Sequence, residues 1–248
     1  MEEKHLKRSL ILGLDLSLNH FGLVVLDQNG FVLGSWFLTD IKKYLSCAPV
    51  SFFENYLDLN KDLLDKDVFE ERRIDFICDL MVGLWEIDIV GNFSNVYVSI
   101  EGYANSSLSN SVHQMAELTG ILKYNIFYKQ GAKLRVHDPL SVKLFATGKG
   151  NCIKKDMVEA AKNCGYVVPD CLFTIKKTKK KNKIDDLDGP GTDLVDAYFL
   201  AKMLLRELEV RDGLVQLDQL PENERSIFLR VTKTYPVNLM ARDFICKD

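Results

Sequence analysis

The sequence predicts an α/β domain, a mixed β-sheet flanked by helices. Two observations carry this. Three strand-like runs follow one another at the start, and helical and strand-like segments alternate from residue 95 onward. The length of 248 residues suits such a domain and is enough to bury a full core.

Residues 10–16 (LILGLDL) and 21–27 (FGLVVLD) read as two strands joined at Ser17–His20, with a third over 31–38. Asp27-Gln28-Asn29-Gly30 supplies the turn between the second and third, because Asn-Gly readily adopts positive φ. An antiparallel meander results. From 40 to about 92 the pattern turns helical: FFENYLDLNKDLL and VFEERRIDFICDLMVGLWEI space apolar residues by three and four. NVYVSIE, residues 95–101, is a strand that ends in a carboxylate. Residues 106–130 form a long helix with Gly131 just past its end, and 132–138 a short strand before the helical turn begun by Pro139. A helix follows over 154–164, then a lysine-rich loop over 174–192, then an amphipathic helix over 193–208. One further helix spans about Glu222–Thr232 in a C-terminal extension over about 209–248. The expectation is a single domain over 1–248 with a helical insert at about 40–92.

Composition narrows the class. Hydrophobic residues make up 47% and charged residues 27%, as in globular proteins. No apolar run approaches the roughly 18–20 residues of a membrane span. The N-terminus has no signal-peptide pattern, and the six cysteines (47, 78, 152, 164, 171, 246) include no CxxC pair. They read as reduced thiols of a cytoplasmic protein. The net charge of −3 conceals an acid-rich 58–88 and a lysine-rich 143–183, so a basic face remains open.

Three segments place acids where packing alone would not: Asp15 inside the first strand, Glu101 at the end of the fourth, and Asp193 with Asp196 three residues apart on one helix face. Gathering buried carboxylates is costly because like charges raise one another's pKa. Divalent cations remove that cost, and oxygen-only ligands select Mg²⁺ or Mn²⁺ over zinc. Two such ions activate a water and stabilise the leaving oxygen of a phosphodiester. Each acid also has a plain reading. Asp15 can be a turn or edge residue, Glu101 a solvated charge, and Asp193 a helix N-cap in competition with Thr192.

The segments LGLDLSLNHFGLVVLD, VSIEGYANSSLSNSVHQMAELTGILKY, HDPLSVKLFATGKGNCIKKDMV and DLVDAYFLA resemble, in that order, the RuvC family of Holliday junction resolvases. That family lies within the RNase H-like (retroviral integrase) superfamily, and the match is to its phage-type members with insertions. The resemblance covers about 10–38 and 95–205. It implies an RNase H-like mixed sheet, an antiparallel meander plus parallel strands, and a crossover junction endodeoxyribonuclease. Such an enzyme cuts branched DNA as a homodimer with two Mg²⁺ or Mn²⁺ ions per site. It places Asp15, Glu101, Asp193 and Asp196 as catalytic metal ligands, and Lys143, Lys149, Lys154 and Lys155 near the scissile phosphate. Tyr103 falls near the family's junction-opening aromatic, although spacing and residue type differ, and packing of the helix start is the simpler account. The helix over 106–128, with Ala116, Thr119 and Gly120, corresponds to the family's dimer helix, and packing on its own sheet explains the same residues.

Lys176, Lys177, Lys179, Lys180, Lys181 and Lys183 form either a solvated loop or an arm on DNA phosphates. The four histidines are not spaced as a ligand set. The first segment also resembles the phosphate-binding hairpin of actin-like and sugar-kinase ATPases, but no second Gly-rich hairpin or adenosine-binding glycine pair follows. A non-catalytic DNA-binding relative is a third reading, opposed by the retained acids.

Overall fold

A computed structural model describes residues 9–16, 20–39, 42–44, 46–47, 52–56, 93, 95–102, 110–129, 132–176 and 186–234. Its centre is a six-stranded sheet made of β1 (Ser9–Leu16), β2 (His20–Asp27), β3 (Val32–Thr39), β4 (Phe52–Tyr56), β5 (Asn95–Glu101) and β6 (Lys133–His137). The strands lie in the order β4-β3-β2-β1-β5-β6. β1, β2 and β3 pair antiparallel, whereas β5 runs parallel to β1 and β6 parallel to β5. This order and these directions make the fold RNase H-like, an antiparallel meander extended by parallel strands.

β1 reads SLILGLDL because helices pack on both sides of the sheet at this central strand, so both its faces are covered and both are apolar. Leu10, Leu12 and Leu14 face one cluster with Phe21, Leu23, Val98 and Ile100, which α1 (Asn110–Lys123) covers with Leu118 and Leu122. Ile11 faces the opposite cluster, built on α4 (Pro190–Arg211), with Val24, Leu26, Phe37 and Tyr97. Sixteen residues of α4 are buried. It therefore serves as the second wall of the main core and not as a surface helix. α2 (Pro139–Thr147), α3 (Lys154–Asn163) and α5 (Glu222–Thr234) complete that side.

Local chemistry sets the ends of these elements. The Asp27 carboxylate accepts from the backbone N–H groups of Asn29 and Phe31, and Gly30 takes φ 84, closing the β2–β3 turn. α2 opens on Asp138, whose carboxylate accepts from Ser141 N–H, with Pro139 at its first position, and it ends at Gly148 with φ 74.

Several expectations are corrected. Phe52–Tyr56, expected to be helical within the 40–92 insert, is an edge strand parallel to β3, because a one-sided apolar run can satisfy either period when a sheet edge is within reach. Lys42–Tyr44 is a 3-10 turn, and most of the rest of that insert lies outside the described residues. The 174–192 segment is not loop throughout. It contains a small antiparallel hairpin, β7 (Thr174–Lys176) with β8 (Asp186–Asp188), and α4 already begins at Pro190. The last turn of the long helix is π-helical, over Tyr124–Lys129. Among the described residues no helix is long and apolar enough to cross a membrane.

Candidate active site

Three elements meet at the carboxyl ends of β1 and β5. The parallel register pairs Gly13 with Ser99 and Leu14 with Ile100, so one step further brings Asp15 beside Glu101. Across the other ladder Asp15 faces Gly22. That glycine has a purpose: a Cβ there would lie 2.5 Å from the Asp193 carbonyl oxygen, and one on Gly13 only 1.9 Å from the Ala197 carbonyl oxygen. Two glycines on adjacent strands thus let the first turns of α4 rest on bare backbone. That close approach sets Asp193 and Asp196 over Asp15.

The electrostatics follow from this convergence. Asp15 is 8% exposed and Asp196 6%. Burial, then Asp196, Asp193 and Glu101, push the Asp15 carboxyl well above its ordinary range. Glu101 is raised to about 7, first by burial and then by Asp196, and Asp193 to about 7, first by burial. The Lys154 ammonium is an ion-pair partner of Asp196 Oδ2. Burial pulls this lysine down, but Asp196, Asp15 and Asp193 outweigh it and hold it above the usual lysine range. Lys154, with Lys143 acting on Glu101, offsets only part of the charge of the four acids. Asp193 Oδ2 is buried and accepts no hydrogen bond from the described residues.

These positions decide between the plain readings. Asp15 is neither a turn nor an edge residue, since it sits in a strand with neighbours on both sides. Asp193 is not the N-cap. The cap position is Gly189, and Asp193 lies inside the first turn, with Thr192 donating to the Gly189 carbonyl. Glu101 is half-buried, and burial followed by the charge of Asp196 raises its carboxyl to about 7.

The donor set consists of oxygen only, excess negative charge and one orphaned buried oxygen, which suits a hard divalent cation. Asp15, Glu101, Asp193 and Asp196 are the carboxylates gathered at this corner. Among the described residues no three carboxylate, imidazole or thiol groups stand as a ready-made ligand cage, and Lys154 holds one oxygen of Asp196.

The lysines divide into groups. Lys143 acts electrostatically on Glu101. Lys155 is exposed at the start of α3, where the backbone N–H groups of Lys154 and Lys155 donate to the Asp186 carboxylate. Exposed Lys149 lies with Thr147, Asp156 and Cys164 on the rim of an open cleft between α2 and α3. Lys176 ends β7, while Lys177, Lys179, Lys180, Lys181, Lys183 and Tyr103 lie outside the described residues.

Sequence reading missed a polar cluster beside the site. Arg135 and His137 on β6, Ser99 on β5 and Glu207 on α4 are all buried. Alternate polar residues in KLRVH were the available signal, since a strand with one dry face has no reason to aim Arg and His into it. The two glycines were legible by a similar rule, as interruptions in otherwise apolar strands.

No protein-family model matches this sequence, and no curated protein matches it. Among solved structures, Thermus thermophilus RuvC in complex with a Holliday junction substrate is similar at a TM-score of 0.49 and 13% identity, over 82% of this chain and 96% of that one. A second Thermus thermophilus RuvC structure is similar at a TM-score of 0.43 and 14% identity, over the same shares of the two chains.

Proposed function

We propose that this chain is a divalent-metal-dependent endonuclease that hydrolyses phosphodiesters in branched DNA, four-way junctions being the reference substrate. One observation carries the reading: four acids from β1, β5 and α4, remote in sequence, share one largely enclosed corner, where burial and neighbouring charge raise the pKa values of Asp15, Glu101 and Asp193. A fold gains nothing in stability from such a corner, so its use must be chemical. The order and context of the RuvC-like segments supply the substrate class.

Bound Mg²⁺ or Mn²⁺ supplies Lewis-acid stabilisation of the phosphate and lowers the pKa of water. The chain's own residues do the rest. Asp15, Glu101, Asp193 and Asp196 would hold the cation, and in its absence their charge repels a phosphate. Lys154, released from Asp196, turns its charge to the incoming phosphate, and Lys143 adds positive potential at the Glu101 side. Lys149 and Lys155, with the lysines from Lys176 to Lys183, track the backbone without reading sequence. A homodimer sets one such site on each of two arms. Replacing the six lysines of the 176–183 run by glutamine should flatten the salt dependence of junction affinity, and an unchanged slope assigns that run to solvent.

The test is cleavage. The protein is incubated with a synthetic four-way junction and Mg²⁺, beside linear duplex and ATP. Junction cutting that is lost in a folded Asp15→Asn variant supports the proposal. ATP turnover without cutting transfers the site to the actin-like ATPase class, and junction binding with no cutting in any divalent ion identifies a non-catalytic DNA-binding relative.

A further inference from the structure

The buried polar cluster behind the acids stands out because nothing in the proposed chemistry uses it. Glu207 is 0% exposed and Arg135 1%. The Arg135 guanidinium forks onto the Glu207 carboxylate, Nε to Oε2 at 2.9 Å and Nη2 to Oε1 at 2.5 Å. His137 Nε2 lies 3.1 Å from Glu207 Oε2, and its Nδ1 lies 2.7 Å from Ser99 Oγ. A carboxylate can only accept, so Nε2 carries the proton towards Glu207, and neutral His137 accepts from the Ser99 hydroxyl at Nδ1. The constellation resembles a Ser-His-acid triad, but Ser99 has no exposed surface and cannot meet a substrate.

Stability does not account for it either. Exchanging a buried ion pair for apolar residues of similar volume is often neutral or stabilising. What a forked pair does supply is geometry, since its two parallel bonds tolerate little sliding or rolling of the elements that bear them. Here those elements are α4, which carries two of the acids, and β6, which pairs with the strand that ends in a third. Glu207 rides on α4 with Asp193 and Asp196. His137 is the register partner of Glu101, and its carbonyl accepts from Gly102 N–H at 2.7 Å. At its other end α4 rests on Gly13 and Gly22, which present no side chain to grip it.

We infer that Glu207, held by Arg135 and His137, is a positioning residue that fixes the axial place and roll of α4 on β5 and β6. It thereby sets the spacing of Asp193 and Asp196 from Glu101 and Asp15. The inference rests on the nuclease reading for its consequence in catalysis and on geometry alone for its mechanical part.

The test uses the full chain with the cluster made apolar, Ser99→Ala, Arg135→Met, His137→Leu and Glu207→Leu together, because Glu207→Ala alone strands a buried guanidinium and endangers folding. A second variant, Glu207→Gln, keeps the shape and one acceptor. Amide hydrogen exchange is compared at matched global stability. Protection at Gly102 and at Leu194–Phe199 should fall by about tenfold or more in the apolar variant, and less in Glu207→Gln, while Leu12 and Val98 keep theirs. Junction turnover should fall by roughly 100-fold with KM within about twofold, as expected for groups displaced by about 1 Å. Uniform exchange across site and core overturns the inference, as does wild-type turnover in the apolar variant. If the wild-type protein cuts nothing, the nuclease reading fails and the exchange pattern still decides the positioning role.

Discussion

In the metal-free protein, stability should decline as pH rises from about 4 to about 7. Glu101 is held at about 7 against an ordinary 4.5, and Asp193 at about 7 against 3.8, in both cases first by burial. Through that window the folded chain retains protons that the unfolded chain has released, so the free energy of unfolding falls with each added pH unit. The contribution is fully present below the unfolded values and is gone once pH passes the folded ones. Taken singly the two groups correspond to roughly 3 and roughly 4 kcal/mol. Both feel Asp196, so the joint loss is smaller than their total, about 5 kcal/mol. Urea unfolding at pH steps from 4 to 8 in chelator measures it, with Asp193→Asn as the non-titrating control. The wild type should lose stability across the window, and Asp193→Asn should lose less and be the more stable of the two at pH 7.5. Parallel profiles for the two proteins, or stability that rises through the window, would refute the clustered-acid argument.

Other consequences are as direct. Gly13→Ala sets a Cβ where contact with the Ala197 oxygen would be 1.9 Å, so α4 must retreat by about 1.5 Å. Thermal unfolding should show a loss of about 1–3 kcal/mol, and junction cutting should fall by about 100-fold. Lys154→Met removes the cation that competes for Asp196, so calorimetry should show tighter Mn²⁺ binding while junction affinity weakens. Movement of both in one direction would exclude the dual role. Cys47 Sγ donates to the Cys171 carbonyl at 3.4 Å and Cys171 Sγ to the Cys47 carbonyl at 3.2 Å. Mild peroxide should therefore link these two thiols into a disulfide detectable as a cross-linked peptide, and oxidation confined to exposed Cys164 would contradict the contact.

The fold class was legible in the sequence, and so were the acids that the fold brings together, for physical reasons. Asp15, Glu101, Asp193 and Asp196 stand out because each interrupts an apolar pattern, and a carboxylate in such a place requires a partner. The β1–β3 meander was legible from Asn29-Gly30, whose turn geometry few other pairs adopt. β4 was not, because FFENY satisfies helical and strand spacing equally and only the free edge of β3 selects the strand. The start of α4 was placed three residues late. Gly189, Pro190 and Gly191 read as loop, yet proline at the first helical position is preorganised for the turn it begins. The Arg135–Glu207 pair joins residues 72 apart. Neither residue alone shows that it is buried, and only the course of α4 across β1 and β5 brings Glu207 within reach of Arg135.

A crystal structure of the protein grown with Mn²⁺ tests the cation-binding corner most directly. Anomalous scattering should lie among the carboxylates of Asp15, Glu101, Asp193 and Asp196, with Asp193 Oδ2 in the coordination shell and Lys154 drawn away from Asp196. A corner that stays free of anomalous signal at saturating Mn²⁺, with the Lys154–Asp196 pair intact, would contradict it.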